Sequence, residues 1–251
     1  EVKNELYAGD ISFIGSMYNE KHNLYDRLCG VNDYTKGYLD AIMKVQRSIY
    51  GYFFLEDMLK GDVLDEMMRV CPVKPNEDGV ETVQYVYANY FLARRMATDE
   101  RTDILSRVGR ELGRENKINL YTPDASVRFI NVNNKGTVDY YNEMPYVFRN
   151  SRINLNITLR SIKSGIPLRC MDICGAGGFL LSNYQADLYD VFVPGEDMVI
   201  YDSIDDLMNK CKYYLSHDAE RRQIAQNGFG KIEEKHTYDV RFEEIFNRVF
   251  N

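Results

Sequence analysis

No stretch of this chain is both apolar and long. Its apolar runs, such as 49–55, are short and broken by glycine, and none approaches the roughly 18–20 residues a membrane-spanning helix needs. Positive charge is in deficit: 31 Lys and Arg stand against 38 Asp and Glu, a formal net of -7. Nucleic acid and anionic membrane surfaces reward a basic face, so neither is expected as the main partner. A local basic pocket inside an acidic whole still leaves room for small phosphorylated ligands. Only three histidines occur, far apart at 22, 217 and 236, which gives no ligand set for a metal cage. The five cysteines (29, 71, 170, 174, 211) are odd in number and scattered. Cys170 and Cys174 have helix-face spacing, not that of a zinc knuckle or thioredoxin-type motif, so reduced thiols in a cytoplasmic protein are expected. The first residues carry neither a basic start nor an apolar core, hence no signal peptide is expected. They also lack Met, and the chain is expected to be a fragment.

What is present is globular. Of 251 residues, 45% are hydrophobic and 27% charged, a balance far from disorder. A chain of this length buries about 70–75% of its unfolded surface and needs no staples. The segment 10–16 reads as a buried strand closing on Gly15 and Ser16. From 33 to 97 the character is helical: Leu39, Ile42, Met43, Ile49, Tyr50 and Phe53 form an amphipathic stripe, continued by Val80, Val83, Val86, Tyr87 and Tyr90. This block is expected as an insert packed on the main domain or as a dimer-forming surface. Beyond it, a polar helix (100–112) precedes strands at 118–121, 137–139, 153–157, 179–182 and 198–201. Helices are expected at 144–149 and 168–174, and three more close the chain. Ser203 and Asp206 suggest a capping box for a helix over 204–215, and Thr237 an N-cap for the last helix. This alternation predicts an α/β fold, a Rossmann-like parallel sheet with helices on both faces. The expected division is 1–32 and 98–251 as the Rossmann-like domain, with 33–97 as the helical insertion.

In open α/β sheets, ligands bind outside the carboxyl ends of the strands. That rule selects the loop from Gly15 and Ser16 to Lys21, and the segment 160–172 after the strand at 153–157. Within the latter, Ser164-Gly165-Ile166-Pro167 opens a helix, whose free amides suit either a simple cap or a diphosphate. Gly175-Ala176-Gly177-Gly178 follows a helix and precedes a strand. That is the reverse of a dinucleotide fingerprint, so it reads as a helix C-cap that allows close packing, and NAD or FAD is not expected. Asp172 and Arg169, three apart, would share a helix face. They form a local ion pair, or Asp172 points into the cleft to accept hydrogen bonds from vicinal hydroxyls.

The stretch 151–251 resembles the C-terminal half of a GT-B glycosyltransferase, specifically the CgeB-like (spore-maturation protein) branch of group 1 glycosyltransferases. The residues that carry the resemblance are Ser151-Arg152-Ile153-Asn154-Leu155-Asn156, Gly165-Ile166-Pro167-Leu168-Arg169-Cys170-Met171-Asp172, Gly175-Ala176-Gly177-Gly178-Phe179-Leu180-Leu181, Asn183-Tyr184-Gln185, Tyr213-Tyr214-Leu215, Glu220-Arg221, Ile224-Ala225, and His236-Thr237-Tyr238 with Arg241. The opening 10–18 resembles the first strand of the same half. The resemblance implies two Rossmann-like halves across a cleft, with this one holding a nucleotide-diphosphate-sugar donor, no further cofactor, and an unknown acceptor. It places Asp172 on the donor ribose and Gly165 with Ser164, Ile166 and Pro167 at the diphosphate and sugar. It also implies Gly15, Ser16 and Lys21 as the phosphate loop, and positions near Asp139 and Tyr140 at the base. Arg169, Lys21 and Arg160 are candidates to stabilise the leaving diphosphate without a metal. Two features depart from the family. Many relatives carry two glutamates eight apart, the first touching the donor sugar, whereas here the first place is Ser164 and the second Asp172, so sugar positioning must differ. The chain also opens at the donor half's first strand, so the acceptor half is expected to be absent. The alternative is a non-catalytic module with a degenerate site, its partner domain or dimer contact made through the helical insertion.

Overall fold

The computed structural model describes residues 2–19, 23–75, 79 and 81–250. The chain divides into two compact units: Glu1–Gly15 with Leu105–Thr158 and Ser164–Asn251, and Ser16–Ile104 with Leu159–Lys163.

The first unit is a six-stranded parallel sheet: β1 (Gly9–Ile14), β2 (Ile118–Tyr121), β3 (Val132–Asn134), β4 (Ser151–Asn156), β5 (Leu180–Asn183) and β6 (Val199–Tyr201). The spatial order is β3-β2-β1-β4-β5-β6, and every pairing is parallel. Central strands are buried on both faces, so they carry near-continuous apolar runs: Ile11, Phe13, Leu120, Ile153, Leu155 and Leu181 are all at most 1% exposed. The order reverses between β1 and β4, which makes the loops after these two strands the walls of the binding crevice in a sheet of this type. In chain order the helices are α1 (Val2–Tyr7), α2 (Asp33–Ser48), α3 (Leu55–Met58), α4 (Gly61–Val70), α5 (Val83–Val86), α6 (Ala93–Leu112), α7 (Met144–Asn150), α8 (Leu168–Gly175), α9 (Ile204–Ser216), α10 (Asp218–Lys235) and α11 (Tyr238–Phe250). None of the described helices is long and apolar enough to cross a membrane.

The α/β expectation holds, and one strand is corrected. The β-branched Thr137 and Val138 suggest a strand at 137–139, but β3 lies at Val132–Asn134. Gly136 turns the chain with φ +77, and Asp139 draws the next residues into a turn by accepting from the amides of Tyr141 and Asn142 at 3.1 and 2.7 Å. The asparagines of β3 look like turn residues. Instead they serve as edge-strand anchors: Asn133 donates to the Ile118 carbonyl, and Asn134 to those of Asp124 and Val127.

The glycine run after α8 is a helix cap, as its order in the sequence implies. The Gly178 amide donates to the Ile173 carbonyl at 2.8 Å and the Gly177 amide to Cys174 at 2.9 Å, a Schellman pair with Gly177 left-handed at φ +77. Gly178 is needed for proximity: a Cβ there would meet the Phe148 carbonyl oxygen at 2.7 Å. Ser203 caps α9, its Oγ accepting from the Asp206 amide at 3.1 Å. The return half of the box shifts by one residue, since the Asp206 carboxylate accepts from the Asp202 amide. Thr237 accepts from the Val240 amide at the start of α11.

The second unit is helical around its own core, which includes Leu39, Ile42, Met43, Phe53, Leu55, Met67, Tyr87 and Met96. The stripe along α2 ends at Gln46. Ile49 is extended and Gly51 left-handed, so Tyr50 and Phe53 do not share α2's wheel. Buried Gln46 fixes that bend, donating to the carbonyls of Ile49 and Tyr52 and accepting from the Phe54 amide. Val80 lies outside the described residues; a π-helical stretch, Tyr87–Leu92, joins α5 to α6.

Candidate functional site

At the carboxyl ends of β4 and β5 the strands finish in polar residues that are buried and mutually satisfied. Asn156 donates to Thr158 Oγ1 and Ser182 Oγ, each at 2.9 Å, and Asn183 accepts from the Thr158 amide at 2.8 Å while donating to its carbonyl at 3.1 Å. Such a network fixes the direction in which the chain leaves β4, because an unpaired buried amide would cost about 1–3 kcal/mol. Asn156 and Asn183 appear among the family-like residues, but their bracing role needed the pairing of β4 with β5 to be seen.

The chain then reaches the expected loop. Gly165 has φ +90 and open space where a Cβ would stand. Its amide donates to the Asp187 carboxylate at 2.5 Å, so an anionic group already occupies the amide the sequence assigns to a diphosphate. Pro167 is the N-cap of α8, and the Cys170 amide donates back to its carbonyl at 2.9 Å. Leu168 is 74% exposed, which leaves the start of the helix open. Ser164 is exposed and Ile166 half-buried.

Arg169 points from α8 toward the loop after β1: a Cβ built on Gly15 would meet Arg169 Nη1 and the Phe13 ring at 3.0 Å. Two expected site residues from opposite sides of the switch point are thereby brought together. Asp172 takes its hydrogen bond from another element, with Tyr140 Oη donating to Asp172 Oδ1 at 2.9 Å. Burial holds the Asp172 carboxyl above the usual range, against the lowering effect of Tyr140's hydrogen bond and the nearby Arg169 charge. The same bond pushes the Tyr140 hydroxyl up.

Asp172 opens onto a cavity of about 830 Å³ walled mainly by apolar and aromatic side chains, among them Tyr140, Tyr141, Met144 and Phe148. The end of α10 and the start of α11 line it too, with His236, Tyr238 and Arg241. Mostly apolar walls with a few placed polar groups suit a base or sugar ring bearing hydroxyls. His236 and Arg241 belong to the family-like residues but received no role from sequence, because nothing in their spacing reveals which strand loop α11 returns to.

Ser16 and Arg160 belong to the second unit. Ser16 Oγ accepts from the Tyr18 amide at 2.9 Å, and its carbonyl accepts from Arg101. Tyr18 is held left-handed at φ 53, with its carbonyl taken by Thr98 Oγ1 at 2.7 Å and its ring under the Arg101 guanidinium. Arg160 has a side chain only 4% exposed, paired at 2.6 Å with Glu100, itself 3% exposed. It also donates to the Arg47 carbonyl at 3.1 Å and stacks on Tyr50. Burial pushes the Glu100 carboxyl up despite its cationic partner. Lys21 lies outside the described residues. Of the cysteines, 170, 174 and 211 are buried, and burial pushes the Cys170 and Cys211 thiols up to about 12, so they are packing groups.

A family model described as glycosyl transferase-like matches residues 94–247, well over half of the chain. A crystal structure of TarM is similar, with a TM-score of 0.47 and 16% identity over 59% of this chain and 32% of that one. The chain therefore spans about a third of that protein's length. No curated protein matches it in sequence.

Proposed function

From the premise that this chain belongs to the glycosyl transferase-like family, we propose that its parallel-sheet unit is the donor-binding half of a cytoplasmic GT-B enzyme, of the CgeB-like branch. It takes a nucleoside-diphosphate sugar and passes the sugar to an acceptor.

One observation carries the reading. Asp172 presents a half-buried carboxylate to a roomy, aromatic-walled cavity at the carboxyl end of a doubly wound sheet. The donor's ribose hydroxyls donate to Asp172, whose Oδ2 is left for them by the Tyr140 contact at Oδ1. The base lies against Tyr140 and Tyr141. The diphosphate meets the exposed first turn of α8, where the helix dipole favours anions, once Asp187 yields the Gly165 amide. Arg169, beside Gly15, adds charge there. In the reaction the acceptor oxygen bonds to the sugar's anomeric carbon as the bond from that carbon to the diphosphate oxygen breaks. The acceptor's proton goes to a base, and the nucleoside diphosphate leaves with the bonding electrons. Preorganised donors at the developing phosphate charge lower that barrier.

Ser164 favours a second reading. It stands where relatives have a sugar-contacting glutamate, which fits a module that binds the nucleotide without turnover. Calorimetric titration with UDP, GDP and their sugars, followed by assay for sugar release, separates the two: binding with release supports the transferase, binding alone the module, and neither refutes the site.

A further inference from the structure

We infer that Arg241, positioned by His236, is a phosphate-binding residue of this site, gripping the donor's diphosphate from the α11 side of the cavity that Asp172 also lines. The inference rests on the donor-site reading above and adds to it a residue that neither the strand-end rule nor the α8 loop supplies.

The cavity beside Asp172 is largely apolar, and among the described residues that line it Arg241 is the one with a formal positive charge. A diphosphate entering such a cavity loses water and requires a cation or oriented donors in exchange. Gly165, whose amide Asp187 must yield, and Arg169 do not line the cavity, so the α11 side supplies the cationic charge within it. Arg241 is held for this purpose. Its Nη2 lies 2.5 Å from His236 Nδ1, and because a guanidinium only donates, that nitrogen accepts and the ring is neutral, its proton on Nε2. Burial and the adjacent Arg241 charge lower the His236 pKa in accord with this. On the other side Arg241 Nη1 is paired with Glu244 at 2.6 Å. These two partners use two of five donors, and the remaining fork suits phosphate oxygens. Glu244 does not line the cavity, so it orients the guanidinium while competing with an incoming anion for its charge.

The experiment compares UDP and GDP with uridine and guanosine on the full chain, before and after Arg241→Gln, with thermal melting to verify folding. Loss of one charge-assisted contact should weaken the diphosphates about ten-fold or more and leave the nucleosides unchanged. Equal losses for nucleoside and diphosphate, or none, overturn the assignment while leaving the donor site standing. A wild-type chain that binds none of the four overturns the site itself, and the assignment with it. Glu244→Gln supplies an independent arm should Arg241→Gln fold poorly. Removal of the competing carboxylate should tighten UDP or GDP at least about two-fold without affecting nucleosides, and no tightening counts against Arg241. His236→Phe should weaken the diphosphates alone, with partial recovery in His236→Asn, which keeps an acceptor; failure of both to discriminate removes the positioning role.

Discussion

The buried pair between Arg160 and Glu100 should dominate the stability of the helical unit. Both side chains are almost wholly out of water, and their contact is 2.6 Å. Arg160 Nε and Nη1 find no hydrogen-bond partner among the described residues, so the guanidinium's desolvation is only partly offset by Glu100, the Arg47 carbonyl and the Tyr50 ring. Arg160→Ala leaves Glu100 buried without its cation and should cost about 3–5 kcal/mol. For a chain of this size that corresponds to a melting-temperature drop of roughly 6–20 °C. Replacing both groups with apolar residues, as in Glu100→Leu with Arg160→Met, should be near neutral or stabilising by about 1–4 kcal/mol. Urea titrations of the two singles and the double, followed by circular dichroism, provide the cycle. A cost below about 1 kcal/mol for Arg160→Ala, typical of an exposed pair, or singles that simply add, would show that the two charges are not coupled. The double variant should also keep its affinity for UDP or GDP if Arg160 is a structural cation; a weaker complex would restore it to the ligand.

Further expectations concern the sheet unit. Gly178→Ala, which drives a Cβ against the Phe148 carbonyl, should cost about 1–3 kcal/mol, and Gly177→Ala at a left-handed φ about 1–2 kcal/mol; denaturant midpoints check both. Hydrogen bonding from Arg221, with the Arg221 and Arg222 charges, holds the Asp218 carboxyl at about 2, below its unperturbed 3.8. A lowered carboxyl stabilises the fold above its unfolded pKa and loses that contribution as pH falls through 3.8 toward 2. The stability gap between wild type and Asp218→Asn should therefore close over that interval, and a gap that stays constant would show Asp218 to be uncoupled. Tyr140→Phe removes a hydrogen bond that lowers the Asp172 pKa, so a carboxyl NMR titration should move further upward; no movement would deny the contact.

Much of this architecture could be read from residue order. Helix, glycines, strand, in that sequence, announces a C-cap and close packing, and the Schellman pair at Gly177 and Gly178 is the physical form of it. Asp172 falls beside a cavity because the helix after a central strand must start at the sheet's carboxyl edge. Long-range pairing explains what escaped. Asn133 and Asn134 lie in a strand because β2 offers them partners, a fact local propensity does not contain. Arg160 follows β4, as a ligand cation would, yet a buried glutamate sixty positions earlier claims it. Arg241 meets the cavity only because α10 and α11 carry the chain back to it.

Titration of UDP and GDP into wild type and Asp172→Ala, with inorganic pyrophosphate as control, decides whether this carboxylate holds the nucleotide. Wild type should bind at least one of the two nucleotides. Asp172→Ala should bind it about ten-fold or more weakly, through loss of a charge-assisted hydrogen bond, with pyrophosphate unaffected. Equal affinity in the two proteins would remove the carboxylate from the site.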